Sequence, residues 1–240
     1  MLFRSVLLSG MITSRNGWIE TPYVEAPATL AQLAEGARVI TGQNGMVLRF
    51  LPGVCINGVS SDVMRGEEIQ VFGSVGPQES VTVVLPGTHS KWVRVQAGVL
   101  HDFKSFMTGE VFAALKAHTI LGRLIPEGTA TDDAAFNAGV RQALNPGSAG
   151  LLNDIFTTRS GVLLGRFPPD EIAERLSGIV IGHEIRGGLA LGWAEGVIRV
   201  VGEAGLTRRY LRALRTVGLR AEPGPENAAV EGFRRLGAVG

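Results

Sequence analysis

Apolar and polar positions follow two different periods along this chain. Short apolar or alternating runs bounded by Gly, Pro or polar residues predict β-strands at 6–9, 38–41, 46–51, 81–85, 91–96, 99–103 and 197–202. Apolar residues three or four positions apart predict helices at 28–36, 63–72, 108–120, 132–144, 148–158, from 168, at 206–217 and at 226–236. The mixture predicts an α/β fold with some antiparallel pairing, not a plain doubly wound sheet.

The middle of the chain carries the sharpest of these signals. Ser61 and Asp62 are residue types that cap helices, and they predict a helix start at Val63. Glu67 and Glu68 then fall in the opening turns, where carboxylates complement the helix dipole. The three strand-like runs that follow are joined by short polar or glycine turns, which predicts an antiparallel meander.

Composition places the chain among globular proteins. It has 240 residues, 45% apolar and 19% charged, with a formal net charge of +1. These values exclude a disordered chain, which needs few apolar residues and a large net charge. They allow one large domain or two small ones. The near-zero charge gives no reason to expect nucleic acid as a partner.

The cysteine and histidine content and the length of the apolar runs exclude several further classes of protein. The lone Cys55 excludes an intrachain disulfide and a cysteine zinc site. The four histidines share no ligand spacing, so no metal-binding residues are predicted. The longest apolar stretch contains His183, Glu184 and Arg186 and is too short to span a membrane. The first apolar run is too short for a signal peptide, so we expect a cytoplasmic protein without a membrane partner.

The segment LPGTHSKW at 85–92 is the most informative for chemistry. A strand ends there, and the turn offers backbone amides, two hydroxyls, an imidazole and one of the chain's few lysines. Such a turn can hold phosphate oxygens, although the spacing of a Walker loop is absent. The alternative is an ordinary hairpin turn with a solvated lysine.

Three further segments leave alternatives open. The sequence RGEE at 65–68 offers a general base and a substrate clamp, or only a helix-dipole partner with a surface ion pair. Gly202 and Gly205 let a ligand approach a helix N-terminus, or only form a tight turn. The polar loop from Gly10 to Trp18 follows a strand, where ligands bind in open α/β sheets, or is a connection anchored by a buried Trp18.

Several of these motifs stand in an order that is typical of one enzyme family. They are Gly10-Met11 with Gly17-Trp18, Val63 to Glu68, Pro86 to Trp92, Asp102-Phe103 with Met107 to Glu110, and Leu206 to Tyr210. Together they resemble the 2-dehydro-3-deoxygalactonokinase family, from about residue 6 to the C-terminus.

The resemblance implies a fold and a reaction. The fold would be the two-lobed actin, Hsp70 and hexokinase type (ribonuclease H-like), with a sugar-binding lobe over 1–76 and an ATP-binding lobe over 77–240. The reaction would phosphorylate 2-dehydro-3-deoxy-D-galactonate at its 6-hydroxyl with ATP and Mg²⁺, in galactonate breakdown. The alternatives are a kinase for another 2-keto-3-deoxy acid, such as the gluconate epimer, and a non-catalytic sugar-acid-binding fragment. A homodimer also stays open.

The resemblance also implies roles for single residues. In the related glycerol and xylulose kinases, a Gly-Asp pair opens a helix before a phosphate-binding Gly-Thr turn. By that analogy Glu67 is the catalytic base, Glu68 the spare, and Arg65 the clamp for a carboxylate or phosphate. The implied substrate-binding residues are Gly10, Met11, Ser14 and Trp18. The implied ATP-binding residues are Gly87, Thr88, His89, Lys91, Gly202 and Gly205.

The chain departs from the family pattern at its start. Family members carry an Asp-x-Gly-Thr-Thr-like phosphate loop upstream of the pair that matches Gly10-Met11, and no such loop is found here. The N-terminal lobe is therefore expected to be incomplete. Residues 1–5 do not resemble the family, and 2–5 match the translation of a sequencing-adapter end. The expectation is a truncated gene model whose first residues are artefactual.

Overall fold

A computed structural model describes residues 5–42 and 45–239 and confirms the mixed α/β class. The strands in this range are β1 Ser5–Leu8, β2 Tyr23–Glu25, β3 Arg38–Thr41, β4 Val47–Phe50, β5 Gly53–Ile56, β6 Asp62–Met64, β7 Val81–Leu85, β8 Ser90–Gln96, β9 Val99–Phe106, β10 Val197–Val200 and β11 Arg220–Pro223. The α-helices are α1 Leu30–Glu35, α2 Glu67–Ser74, α3 Thr108–His118, α4 Asp133–Leu144, α5 Leu151–Leu163, α6 Ile172–Ala190, α7 Ala204–Thr216 and α8 Ala228–Val239. The expectation about residues 1–5 falls mostly outside the described residues, because the description begins at Ser5.

The predicted start of the second helix is wrong. Residues 62–64 form β6, antiparallel to β5. The Asp62 carboxylate, expected to cap a helix, accepts hydrogen bonds from the Val63 amide and from the amide and hydroxyl of Ser105. Helix α2 begins only after Gly66, whose φ of 112° lies in the left-handed region that favours glycine. The hydrophobic pattern also predicts none of the short strands β2, β5, β6 and β11.

The described chain divides into two compact units. Unit 1 contains 5–42, 45–85, 91–105 and 224–239, and unit 2 contains 86–90 and 106–223. The predicted lobes, 1–76 and 77–240, have other boundaries. The predicted lobes are defined by the ligand that each would bind, and the compact units by their internal packing. The division by ligand stays a prediction.

Unit 1 contains most of the strands in the described residues. In one sheet β4 lies between β1, which is parallel to it, and β3, which is antiparallel. In another, β5 lies between the parallel β2 and the antiparallel β6. Strands β7, β8 and β9 lie side by side in chain order, with β7 and β8 antiparallel, as the meander prediction requires.

Helices α2 and α8 of unit 1 pack at very close range. A Cβ atom on Gly73 would lie 1.8 Å from the carbonyl oxygen of Ala228, and one on Gly232 would lie 2.1 Å from that of Ile69. Only glycine permits this approach of two backbones. Arg235 of α8 also donates to two carbonyl oxygens at the C-terminal end of α2, which satisfies acceptors that the helix itself leaves open.

Unit 2 is mostly helical. Asp132, where a helix is predicted to begin, caps α4 by accepting from the amides of Ala134 and Ala135. Helices α4 and α6 also meet through glycine, since a Cβ atom on Gly178 would lie 2.1 Å from the carbonyl oxygen of Phe136. Strands β10 and β11 are parallel. Among the described residues, no helix combines the length and the apolar character needed to cross a membrane.

Candidate active site

In unit 1, Arg65 holds the loop that follows β1. Its guanidinium donates to the carbonyl oxygen and hydroxyl of Thr13, at 2.8 and 3.0 Å, and to the hydroxyl and carbonyl oxygen of Thr21, at 2.6 and 2.9 Å. It also lies over the ring of Tyr23, 4.2 Å from the centroid. These contacts direct the guanidinium toward the protein, so Arg65 braces the loop. Its predicted role as a substrate clamp stays a prediction.

Two glycines bring the same loop against the start of α2. Gly10 has a φ of 89° and Gly66 a φ of 112°. A Cβ atom on Gly66 would lie 3.2 Å from the Cα atom of Gly10, tighter than nearly all real contacts. A side chain at position 66 would therefore push the loop away from the helix. The predicted substrate loop and the predicted catalytic helix turn consequently form one cluster.

Glu67 is the accessible carboxylate of this cluster. Its side chain is 29% exposed and accepts a hydrogen bond from the Arg65 amide at 3.0 Å. The ammonium of Lys91, which is buried, lies 3.9 Å from the other carboxylate oxygen. Lys91 is assigned by sequence to the ATP site, and the structure places it in unit 1 beside Glu67.

Glu68 is the buried carboxylate of the same turn. It accepts from the Ser9 hydroxyl at 2.9 Å and from the Gly66 amide at 2.7 Å. Burial raises the pKa of Glu68 to about 7, and these hydrogen bonds offset only part of that rise. Glu68 therefore fixes the backbone on both sides of the close contact between Gly10 and Gly66.

The remaining predicted substrate residues are on the surface of unit 1. Met11 is 69% exposed and Trp18 62% exposed. The Trp18 ring meets Phe50 edge to face, with the centroids 5.3 Å apart. Ser14 is half-buried and donates to the Met11 carbonyl oxygen at 2.8 Å. The alternative of a connection anchored by a buried Trp18 is wrong.

In unit 2, the turn before β8 rests on the first residues of α3. The Glu110 amide donates to the carbonyl oxygen of Thr88 at 3.0 Å. A Cβ atom on Gly109 would lie 2.5 Å from the carbonyl oxygen of Gly87. The side chains of His89 and Glu110 meet at 2.5 Å, both half exposed. The turn therefore lies beside a helix N-terminus, the end that favours anions.

The start of α7 is already capped by a carboxylate. Glu203, between Gly202 and Gly205, accepts from the amides of Gly205 and Leu206 at 2.8 and 3.0 Å. These hydrogen bonds hold the pKa of Glu203 below its usual range. A Cβ atom on Gly202 would lie 3.5 Å from the carbonyl oxygen of Pro86. Gly202 therefore lies close to the predicted phosphate turn. The Gly205 amide, which the sequence offers to a ligand, already donates to the Glu203 carboxylate.

A cavity of about 530 Å³ lies in unit 2. Its lining includes Gly87, Thr108, Gly109, Lys116, Arg209 and Tyr210. The volume falls in the range of small-molecule and cofactor sites. Of the predicted ATP residues, Gly87 is in the lining, whereas Thr88, His89, Gly202 and Gly205 are not among the residues that form it.

Known proteins with similar sequences decide the family. A family model described as 2-keto-3-deoxy-galactonokinase matches residues 3–236. The chain belongs to this family. The resemblance stated from the motifs is therefore confirmed.

Two relatives and one solved structure with galactonokinase names are also similar to this chain over most of its length. The 2-dehydro-3-deoxygalactonokinase of Escherichia coli (strain K12) is 33% identical over 214 residues, 89% of this chain and 71% of that protein. A Rhizobium meliloti (strain 1021) protein named "Probable 2-dehydro-3-deoxygalactonokinase DgoK1" is 38% identical over 231 residues, 94% of this chain and 74% of that protein. The crystal structure of a candidate 2-dehydro-3-deoxygalactonokinase from Sinorhizobium meliloti has a TM-score of 0.85 at 37% identity, covering 97% of this chain and 78% of that one.

This member of the galactonokinase family carries polar residues in unit 2 that the sequence does not assign. Arg209, on the cavity wall, pairs with Glu174 at 2.5 Å and lies over the Phe136 ring, 4.4 Å from its centroid. Tyr210 donates to buried Glu184 at 2.6 Å. Arg209 and Tyr210 fall within a family motif. The only sequence signal for Glu174 and Glu184 is that both are acidic residues within the apolar helix α6. A buried acid is almost always paired, so each of them implies a partner.

Within residues 5–42 and 45–239, no group of three or more His, Cys, Asp or Glu side chains is arranged to hold a metal ion. Kinases commonly hold Mg²⁺ with one or two carboxylates, water and the phosphates of the nucleotide. Thr88 of the turn before β8 and Glu110 of the first turn of α3, whose backbones are hydrogen-bonded, carry oxygen side chains of the donor type that Mg²⁺ takes.

Proposed function

We propose that this chain transfers the terminal phosphoryl group of ATP to the 6-hydroxyl of 2-dehydro-3-deoxy-D-galactonate, a step of galactonate breakdown. The bond from the γ-phosphorus to ADP breaks, a bond to the sugar oxygen forms, and the hydroxyl proton passes to a base. Membership of the kinase family supports the reaction class. The observation that best supports the proposal is the unit 2 cavity, whose volume suits a small molecule or cofactor and whose lining includes Gly87 of the predicted phosphate turn.

The finer assignments of the whole chain belong to the same proposal. The fold is the two-lobed actin, Hsp70 and hexokinase type, with sugar-acid residues in 1–76 and ATP residues in 77–240. The presence of one residue cluster in each compact unit supports this division. A cytoplasmic location, a homodimer, and the lack of nucleic-acid and membrane partners remain predictions.

Glu67 is the proposed catalytic base. A general base must be reachable by the substrate and held in one orientation. Glu67 is partly exposed, the Arg65 amide donates to one of its oxygens, and the Lys91 ammonium lies 3.9 Å from the other. Glu68 is fully buried and engaged on both oxygens, which favours Glu67 over the spare.

The sugar acid would bind at the loop that Arg65 braces. Gly10 offers close backbone approach, Ser14 a hydroxyl, and Met11 and Trp18 exposed apolar surface for the carbon chain. Arg65 acts here as a positioning residue, because its contacts with Thr13 and Thr21 set the path of the loop.

ATP would bind in unit 2. The backbone of Gly87 and Thr88 would hold phosphate oxygens beside the N-terminus of α3, with His89 at the edge. Gly202 and Gly205 are kept as candidate adenosine contacts from the sequence, although neither lines the cavity and Glu203 already accepts from the amides of Gly205 and Leu206. Lys91 is kept as a candidate phosphate contact from the sequence. Mg²⁺, when bound with ATP, would neutralise charge that develops on the phosphates, and Thr88 and Glu110 are its candidate protein ligands.

The direct test is phosphoryl transfer by the purified 240-residue chain. The chain is incubated with ATP, Mg²⁺ and 2-dehydro-3-deoxygalactonate, and the phosphorylated acid is detected by mass. The gluconate epimer is run in parallel. We expect product from the galactonate acid at the higher kcat/KM. A folded, monodisperse chain that forms no product, or that prefers the epimer, would contradict the proposed substrate.

The role of Glu67 is tested by Glu67→Gln. The amide keeps the size of the side chain but cannot take up the proton, so we expect kcat to fall at least ~100-fold, the usual scale for loss of a general base. The ATP dissociation constant should change far less than kcat, because Glu67 belongs to unit 1 and, of the proposed ATP residues, Lys91 alone belongs to that unit.

A matched variant separates this role from a general effect of losing a carboxylate. Glu35→Gln removes an exposed glutamate from α1 in the same unit, and its kcat should equal that of the unaltered chain. A loss below threefold in Glu67→Gln, with the fold intact, would remove Glu67 from the role of base.

A further inference from the structure

A chain of buried hydrogen bonds connects the turn before β8 to three helices of unit 2. Ser90, the first residue of β8 directly after the turn, bonds through its hydroxyl to the Tyr210 phenol of α7 at 2.8 Å. Tyr210 donates to the Glu184 carboxylate of α6 at 2.6 Å. Thr108, the first residue of α3, donates to the same carboxylate oxygen at 2.5 Å. We refer to these four residues as the Glu184 network.

The burial of the Glu184 network fixes its proton arrangement. Ser90 is fully buried, and Tyr210 and Glu184 are each 2% exposed. Burial, followed by the charge of Glu184, raises the pKa of Tyr210 well above its usual value, so the phenol keeps its proton and donates a hydrogen bond to Glu184. Its oxygen is then the acceptor for the Ser90 hydroxyl. All the bonds therefore point toward one carboxylate, and hydrogen bonds to a charged group are the stronger kind.

The other side of the turn is held as well. Thr88 accepts from the Glu110 amide, and the Gly87 backbone lies so near Gly109 that a methyl group would not fit between them. The α3 residues that make these contacts directly follow Thr108. The turn is thus connected to α3 in two ways. Its backbone contacts α3 directly, and Ser90 reaches Thr108 of α3 through Tyr210 and Glu184.

We propose that Glu184 and Tyr210 are positioning residues for ATP, which act by fixing the Gly87–Thr88 backbone relative to the N-terminus of α3. This inference rests on the proposed function, in which that backbone holds phosphate oxygens. Tyr210 is among the residues that line the cavity, its hydroxyl belongs to the network, and substitution by phenylalanine keeps the ring. The contribution of the hydroxyl can therefore be separated from that of the ring.

The test is ATP binding by the full chain carrying Tyr210→Phe. The variant keeps the ring and removes the oxygen that links Ser90 to Glu184. We expect the ATP dissociation constant, measured by calorimetry, and the KM for ATP to rise about tenfold, the scale of one hydrogen bond to a charged group. The KM for the sugar acid should stay unchanged, because its proposed residues belong to unit 1.

Ser90→Ala and the double variant test whether the residues act as a network. Ser90→Ala should weaken ATP binding in the same direction. The double variant should lose less than the product of the two single losses, because both remove the same link. Ser160→Ala is the matched control, since its hydroxyl donates within α5 to the Thr157 carbonyl oxygen and Ser160 is not in the cavity lining. It should bind ATP as the unaltered chain does.

The outcomes separate this inference from the proposed function. If Tyr210→Phe lowers the melting temperature but binds ATP normally, while the unaltered chain makes product, the positioning role is overturned and the proposed function stands. Independent losses that multiply in the double variant would overturn the network. An unaltered chain that does not bind ATP would overturn both.

Discussion

Glu67 and Glu68 are adjacent in sequence and yet differ in burial because consecutive helical positions point about 100° apart. Their identity as an acid pair at a helix start is visible in the sequence. Which of them is accessible is not, because that depends on Ser9 and on the close contact of Gly10 with Gly66, more than fifty positions apart. The sequence therefore predicts the pair of candidates, and only the packing separates them.

The raised pKa of Glu68 predicts a pH-dependent stability. The pKa of an unperturbed glutamate, as in the unfolded chain, is 4.5, and the pKa of Glu68 in the folded chain is about 7. Between these values the unfolded chain has released the proton and the folded chain keeps it, so stability falls as pH rises. Glu68→Gln mimics the protonated form and lacks this loss. Its stability relative to the unaltered chain should increase by about 3 kcal/mol between about pH 4.5 and 7.

The measurement is urea unfolding of both proteins across that pH range. Glu35→Gln, an exposed glutamate of the same unit, is the control and should differ from the unaltered chain by the same small amount at every pH. A constant difference between Glu68→Gln and the unaltered chain would show that Glu68 is ionised in the fold throughout.

The Glu184 network shows a second limit of sequence analysis. Its members are spread over positions 90 to 210. Glu184 in particular lies in an apolar helix, where the sequence shows only that the segment is not a membrane span. A buried acid in such a helix needs donors. Nothing local in the sequence indicates that those donors come from Tyr210 and Thr108.

Helices and strands were predictable where their signals are local. Asp132 caps α4 because its own carboxylate reaches the next amides, and the meander follows from alternation and tight turns. The start of α2 was not predictable from the capping types of Ser61 and Asp62. The Asp62 carboxylate bonds to Ser105, far along the chain, and the strand β6 pairs with β5. Long-range pairing here outweighs a local helix signal.

The close packing of α2 on α8 predicts opposite effects of one substitution at two positions. Gly232→Ala would put a methyl group 2.1 Å from the Ile69 carbonyl oxygen, and the two backbones must separate. We expect a loss of about 2 kcal/mol or more, as for overpacked cores. Gly237→Ala, in the same helix, meets no atom within 4 Å. It should be neutral or stabilise by a few tenths of a kcal/mol, because alanine favours helix.

Thermal and urea unfolding of the two variants measure this difference. Because both substitutions are Gly→Ala in α8, helix propensity favours each of them, and only packing distinguishes them. Equal stabilities would mean that α2 and α8 do not approach as closely as the glycine contacts require.

The division of the whole chain into two compact units gives the proposed function a spatial form. Each unit holds one set of predicted residues, the sugar-acid cluster in unit 1 and the phosphate turn with its cavity in unit 2. The order of the motifs along the sequence predicts the two sets. It does not predict that Lys91, inside the ATP motif, belongs with Glu67, because one strand passes from one unit to the other between Ser90 and Lys91.

Hydrogen exchange of the full chain tests this assignment for both ligands. A ligand that binds only the folded chain slows exchange most at the amides that it covers or orders. We expect ATP to protect 86–90, 108–118 and 204–210, and 2-dehydro-3-deoxygalactonate to protect 9–21 and 65–68. Peptides from α5, which carries no predicted ligand residue, serve as the internal control. Protection of 9–21 by ATP alone would contradict the assignment of ATP to unit 2. Loss of the ATP-dependent protection in Tyr210→Phe would connect ATP binding to the Glu184 network.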